Sequence, residues 1–288
     1  MKKDSVALAD AAGLRLDGRT IVLGIIGDPI AQVKAPLPLT TLLQARGLNA
    51  ILVPLHVQTA DVDRLLTAFG TLRNFAGFIV TVPHKQRVAR SLSAHLSPAA
   101  QRANAANVVR RSADGTWEAD LLDGTGFVTG LTRAGFDPRG TTARIVGAGG
   151  AASAIAFALS EAGSAHIGIH DVDAERRDQL LAQLRAHGID AFCWNGLDTR
   201  NARLLVNATP LGMHANDPLP LPADALHDGL WVADVIMSPA VTPLLEVAAA
   251  RGCRIHEGRH MMEQQLELMA DFFAPAIESV EATGRERP

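Results

Sequence analysis

Along most of the chain, short apolar runs alternate with segments whose apolar positions recur every three or four residues. Residues 21–26, 51–56 and 77–82 are β-branched runs of strand length, and 60–68 between them has helical spacing. After residue 143 the alternation sharpens. Strand-like runs fall at 144–146, 166–171, 191–195, 204–207, 232–236 and 254–256, with helical stretches at 151–162, 174–187 and 242–251. Strand–helix alternation predicts βαβ units and a mainly parallel, doubly wound sheet. The uninterrupted Leu204-Leu205-Val206 suits a parallel strand covered on both faces. Residues 261–274 read as a methionine- and leucine-rich helix. Gly124, Gly126, Gly130, Gly135, Pro138 and Gly140 cluster between 124 and 143, which predicts a boundary there. The expected fold class is α/β, with two α/β domains.

Length agrees, since 288 residues suit two domains that each bury a core. With 48% hydrophobic and 20% charged residues, the chain is neither disordered nor fibrous. A net charge of −3 argues against a nucleic-acid partner, which would normally meet a basic surplus. No apolar run approaches the roughly 18 residues of a membrane span, so no membrane role is expected. Met1-Lys2-Lys3-Asp4 is followed by no convincing signal segment. Cys193 and Cys253 lie in strand-like runs and read as buried free thiols of a cytoplasmic protein. The histidines show no metal-binding spacing, so no metal is expected.

The strand ending at Val146 runs straight into Gly147-Ala148-Gly149-Gly150-Ala151-Ala152 and then a helix. This is a variant of the dinucleotide fingerprint. Gly147 permits the tight turn, Gly149 lets the backbone approach a pyrophosphate, and Ala152 permits close helix–sheet packing. The helix start offers free N–H groups and a positive dipole end to the phosphates. Glycines also simply make turns, but the strand before and the helix after satisfy the required context. Asp171 ends the next strand, about where an acid should hold the adenosine ribose. Its charge would repel a 2′-phosphate, and Val172 stands where an arginine would be needed to hold one. NAD is therefore expected rather than NADP, although Arg176 lies nearby. The alternative is that Asp171 or Asp173 merely caps the helix at Ala174.

A wider series covers nearly the whole chain: Gly27-Asp28-Pro29-Ile30-Ala31, Val80-Thr81-Val82-Pro83-His84-Lys85, Asn107-Val108-Val109, Asp123-Gly124-Thr125-Gly126-Phe127, the glycine loop, Asn207-Ala208-Thr209-Pro210-Leu211-Gly212-Met213, Thr242-Pro243-Leu244-Leu245 and Met261-Met262-Glu263-Gln264-Gln265. In this order and spacing it resembles the shikimate/quinate dehydrogenase family. The resemblance implies a substrate-binding, catalytic domain over 1–125, a Rossmann domain over 126–258, and a C-terminal helix, 259–288, returning to the first. It implies reversible hydride transfer between a ring hydroxyl carbon and a nicotinamide. Lys85 matches the family's catalytic lysine and Asp123 its partner; Thr81, Asn107 and Gln265 match substrate ligands. Cofactor contacts fall on Gly147, Ala148, Gly149, Gly150, Ala151, the stretch from Asp171 and Val172 to Arg176, Thr209, Met213, Val235 and Gly258. The residue types suit the chemistry: oxidising an alcohol requires a positioned base, and several fixed donors and acceptors must hold a polyol. Outside the series, Lys85 would read as a surface lysine and Asp123-Gly124 as a turn.

Departures from the family pattern lie on the substrate side. Val33 and Ala35 stand where the family has two serines that bind the substrate carboxylate, and Met237 stands for a substrate-contacting tyrosine; the chain has no tyrosine at all. Ile79 and Leu121-Leu122 replace polar residues, and His260 replaces a glycine. These changes predict a divergent member, acting on shikimate, quinate or a related cyclic hydroxy acid. An aminoshikimate-type or other polyol dehydrogenase is the second expectation, and a non-catalytic NAD-binding sensor the third. Retention of both Lys85 and Asp123 favours an enzyme. The partner expected is a small molecule, and the protein a monomer or homodimer.

Overall fold

Phe75–Val80 is buried along its whole length, as a continuous apolar run predicts for a strand covered on both faces. It lies at the centre of the first of two sheets in the computed structural model, which describes residues 13–195, 198–214 and 216–285. The opening Met1–Asp4 and the last three residues of the expected returning segment lie outside these.

The chain divides into two compact units, one comprising residues 1–95, 108–119 and 269–288, the other 96–107 and 120–268. The first unit carries strands β1 (Ile21–Gly27), β2 (Ala50–His56), β3 (Phe75–Val80), β4 (Val108–Arg111) and β5 (Trp117–Asp120), ordered β2-β1-β3-β4-β5. The first three are parallel and β4 runs antiparallel to β3. Helix Val62–Thr71 buries Val62, Leu66 and Phe69, one stripe of its surface. Phe69 stacks on Phe75 with centroids 4.1 Å apart, and the Trp117 edge closes on Phe75 and Phe78.

The second unit carries β6 (Thr142–Val146), β7 (His166–His170), β8 (Ala191–Cys193), β9 (Leu204–Asn207), β10 (Trp231–Asp234) and β11 (Arg254–His256). All are parallel, in the order β11-β10-β9-β6-β7-β8. This is the dinucleotide-binding strand order, with its switch point between β6 and β9. Ala143, Ile145, Ile155, Leu159, Ile167 and Val206 fill one face of the sheet. Leu205, Val232, Leu244 and Leu245 belong to a second cluster.

Three expectations change. Gly124, Gly126 and Gly130 belong to helix Asp123–Arg133 rather than to a linker. A Cβ on Gly124 would lie 2.1 Å from the Ala154 carbonyl oxygen, so this glycine lets two helices touch backbone to backbone. The terminal helix runs from Gly258 to Arg285, beyond the 261–274 read from the residue pattern and close to the 259–288 that the resemblance implied; it passes through Pro275, with Ala276, Ile277 and Val280 buried past the proline. Cys193 is exposed because β8 is an edge strand, whereas Cys253 is buried and its thiol meets the His227 carbonyl at 3.1 Å. No helix among the described residues is long and apolar enough to cross a membrane.

Candidate active site

In the first unit, β1 and β3 end side by side, and the turns that follow are joined through their backbones. Thr81 N–H donates to the Ile26 carbonyl (2.9 Å) and Asp28 N–H to that of Val82 (3.1 Å). Gly27 is required here, since a Cβ would sit 2.5 Å from the Thr81 methyl. His84 is fully buried; its Nε2 bonds the Val57 carbonyl at 2.7 Å, while Nδ1 has no partner among the described residues. Lys85 follows as the first residue of helix Lys85–Ser91 and is half-buried. The chain entering the lysine is thereby fixed at two points, by the Thr81 turn and by the His84 anchor. Val33 and Ala35 lie half-buried in the segment leading into helix Pro36–Ala45, beside exposed Gln32 and Lys34.

In the second unit Asn107, Asp123 and Gln265 come together, although 158 positions separate the first from the last (265 minus 107). The Asn107 and Gln265 side-chain amides each donate to Asp123 Oδ1 at 2.9 Å. Asn107 Oδ1 accepts from Leu122 N–H, also at 2.9 Å, which fixes the orientation of its amide. Asp123 is 6% exposed and opens its helix. Gly126, one turn on, leaves room for Gln265, whose Cγ would be 2.6 Å from a Cβ there. Two neutral donors on one carboxylate oxygen hold the group in a single orientation without neutralising it. Leu121 and Ile79 are each 4% exposed and pack inside their units, so of the apolar replacements Val33, Ala35 and Met237 keep partly open surfaces.

The glycine loop fits a pyrophosphate. Gly147 has φ +106°, and a Cβ would meet the Ala208 carbonyl at 2.7 Å; Gly149 and Gly150 face open space. Helix Gly150–Glu161 begins immediately, with Ala152 fully buried against the sheet. Asp171 Oδ2 accepts from Ala148 N–H (2.7 Å) and Oδ1 from Asp173 N–H (2.9 Å). The helix cap is Asp173, whose carboxylate accepts from Arg176 N–H, so Asp171 is not the cap. The Arg176 guanidinium approaches Asp173, at 3.8 Å, and Val172 is 97% exposed beside the loop.

A buried polar network joins residues that the sequence does not connect. Asn207 and Asp234 end β9 and β10 as register partners, and both are 0% exposed. Asp234 Oδ1 accepts from Ile236 N–H (2.9 Å); Oδ2 accepts from the Asn207 amide (3.1 Å) and the Thr242 hydroxyl (2.8 Å). Burial pushes the Asp234 carboxyl above its ordinary pKa, against the pull of these donors. Asn207 Oδ1 takes both the N–H (3.1 Å) and hydroxyl (2.7 Å) of Thr209, and its amide also reaches the Leu211 carbonyl (3.0 Å). Gly258 lies against the next loop, where a Cβ would be 2.3 Å from the Ile236 carbonyl. The network thus braces the loops bearing Thr209, Val235 and Met237, with half-exposed Met213 following on. The signal available in the sequence was two polar residues ending apolar strands.

The family profile of the shikimate dehydrogenase substrate binding domain matches residues 25–109. A shikimate dehydrogenase (NADP(+)) of Rubrobacter xylanophilus is 38% identical over 259 residues, covering 87% of this chain and 89% of that protein. One from Moorella thermoacetica is 34% identical over 260 residues, covering 88% and 87%. A shikimate 5-dehydrogenase from Listeria monocytogenes, solved with shikimate and NAD, superposes with TM-score 0.84 at 27% identity, covering 93% of this chain and 98% of that one. The ligand-free 5-ketofructose reductase of a Gluconobacter strain gives 0.82, also at 27%, covering 93% and 100%. The curated relatives are named for NADP(+), against the NAD expected from Asp171, whereas the Listeria structure holds NAD.

Proposed function

Since the chain belongs to the shikimate dehydrogenase family of oxidoreductases, we propose that it catalyses reversible hydride transfer between a nicotinamide dinucleotide and a ring hydroxyl carbon of shikimate, quinate or a related cyclic hydroxy acid. The reading assigns residues 1–125 with the returning helix to the substrate side and 126–258 to the dinucleotide. The observation that carries it is the Asn107–Asp123–Gln265 set, in the same unit as an open glycine loop at a sheet's switch point.

The dinucleotide, when bound, supplies the hydride acceptor or donor. Gly147, Ala148, Gly149, Gly150 and Ala151 hold its pyrophosphate, Asp171 its adenosine ribose, and Thr209, Met213, Val235 and Gly258 its far half. Lys85 takes the proton from the substrate hydroxyl or returns it. The family resemblance implies Asp123 as its partner, and implies Thr81 together with Asn107 and Gln265, whose amides hold Asp123, as ligands of the ring hydroxyls. General acid–base assistance of this kind is worth roughly 10²–10⁴ in rate. NAD is the preferred form in this reading: the Asp171 carboxylate would accept from the ribose diol and repel a 2′-phosphate, and Val172 offers no cation to hold one. The relatives' names point to NADP(+), so both forms belong in the test.

A neutral substrate is the second reading, favoured by Val33 and Ala35. Neither side chain can hydrogen-bond a carboxylate, and a bond to a charged group contributes about 1.5–3 kcal/mol. Losing two costs on the order of 10²–10⁴ in efficiency. The likeness to a ketofructose reductase supports an uncharged polyhydroxy ketone. Following NADH and NADPH at 340 nm against cyclic hydroxy acids, neutral polyols and ketoses separates the readings. Turnover of shikimate at family-like efficiency, undiminished in Lys34→Ala, would refute the neutral-substrate reading, and no turnover of any would refute the dehydrogenase.

A further inference from the structure

The strand order divides the work of a dinucleotide site. The loop after β6 and the end of β7 serve the adenosine half, and the loops after β9 and β10 the other half, across the switch point. The first half is tied together locally, by Ala148 and Asp171. The loops of the second half share little backbone pairing. Besides one backbone bond, Val235 N–H to the Asn207 carbonyl (3.2 Å), and the packing of Gly212 against Ile236 and Thr242, they are joined by side-chain hydrogen bonds at a buried carboxylate, Asp234.

Asp234 accepts from Ile236 N–H, from the Asn207 amide and from the Thr242 hydroxyl, so it ties the end of β9 to both ends of the loop that follows β10. Asn207 relays the constraint to Thr209 through two further hydrogen bonds, and the Thr209 hydroxyl in turn accepts from Leu211 N–H (3.1 Å). Thr242 caps helix Pro243–Ala250. All of these groups are donors toward the carboxylate, and Asp234 has no exposed surface. Solvent cannot replace any of the bonds, and an amide at this position would turn an N–H₂ toward donors.

We infer that Asp234 is a positioning residue for the nicotinamide half of the cofactor, setting through Asn207 and Thr242 the loops that carry Thr209, Val235 and Met237. The inference rests on the dinucleotide reading above. It differs from a general stabilising role in one respect: it predicts that the two halves of the cofactor respond differently.

The test uses the full chain and two probes. ADP-ribose lacks the nicotinamide and reports the adenosine half; NADH reports both, and its fluorescence reports the surroundings of the nicotinamide ring. In Asp234→Asn, ADP-ribose affinity by calorimetry should stay within about twofold of the wild type. NADH affinity should fall roughly 10- to 100-fold, the worth of one hydrogen bond to a charged group, and the fluorescence change on binding should diminish at saturation. Thr242→Val removes one donor and keeps the carboxylate, so it serves if Asp234→Asn fails to fold; it should shift the same pair of measurements in the same direction. Thr242→Ser should restore wild-type values. Equal weakening of ADP-ribose and NADH, or no weakening of either, overturns the inference and leaves the dinucleotide reading intact. A wild-type protein that binds neither ADP-ribose nor any nicotinamide dinucleotide overturns both.

Discussion

The backbone N–H of Ala148 donates to Asp171 Oδ2 at 2.7 Å, so the glycine loop and the acid at the end of the next strand form one unit. The second Asp171 oxygen is engaged by Asp173 N–H. Each oxygen keeps a lone pair, enough to accept from a ribose diol while holding the loop. Asp171→Ala should therefore weaken NAD binding beyond the loss of a ribose contact, by more than about tenfold, because the loop loses its tether. Combining Asp171→Ser with Val172→Arg keeps a short acceptor, removes the charge and adds a cation. That pair should move preference from NAD toward NADP. Calorimetry of both cofactors decides it, and a wild type that binds NADP more tightly would reject the NAD assignment and direct attention to Arg176.

Two glycines should respond to the same substitution in opposite ways. Gly149→Ala places a methyl in open space at ordinary backbone geometry, where φ is −81°. The thermal midpoint should hardly move, whereas dinucleotide affinity should fall at least about tenfold because the backbone can no longer approach a pyrophosphate. Gly124→Ala drives a methyl to 2.1 Å from the Ala154 carbonyl oxygen. Overpacking typically costs about 1–3 kcal/mol, and a backbone neighbour yields less than a side chain, so the fold should weaken by at least that. Differential scanning calorimetry of the two variants beside NAD titration checks both halves, and a destabilised Gly149→Ala would contradict the open-space argument.

Lys85→Ala should lower turnover roughly 10²–10⁴-fold with NAD affinity nearly unchanged, the pattern of a lost acid–base group. Asp123→Asn should reduce turnover less. Its Oδ1 can still accept from Asn107 and Gln265, so orientation survives while charge is lost. Steady-state kinetics on the substrate identified by the panel gives the comparison. Near-normal turnover in Lys85→Ala would move the proton chemistry to another residue.

What the sequence made legible was what neighbours in the chain decide. Strand β9 falls where its apolar run begins and ends, and the glycine loop sits between strand and helix as its spacing required. The hairpin of β4 and β5 was not legible, because Arg110, Arg111 and Glu118 break its apolar pattern. Those polar residues are held across strands, Arg110 against Glu118 at 2.8 Å and Arg111 over the Trp117 ring. Helix Asp123–Arg133 was hidden by glycines that helix propensity disfavours by about 1 kcal/mol each, and that close packing requires. In the candidate site, Asn107, Asp123 and Gln265 were visible only through the family resemblance. The Asp234 network showed in the sequence only as polar residues ending apolar strands, since pairing between β9 and β10 decides which of them meet.

Acid should weaken the fold through His256. This residue is 1% exposed, its Nε2 has no partner, and its ring meets the edge of Phe127 (centroids 6.0 Å apart) and lies 5.0 Å from the His260 ring. Burial, assisted by His260, pushes its pKa down to about 4. Glu263, one turn on, lies 3.4 Å from His260. An unfolded histidine titrates near 6.5. Between these values the unfolded chain takes up a proton that the folded chain refuses, so stability falls as pH drops from about 6.5 to about 4 and levels off below. Two and a half pH units at about 1.36 kcal/mol each give a loss of about 3 kcal/mol. His256→Phe removes the titrating group and keeps an aromatic ring against Phe127. Urea midpoints from pH 7 to pH 4 should therefore fall less steeply in the variant than in the wild type. Parallel curves would show that the acid sensitivity lies with the carboxylates and not with this histidine.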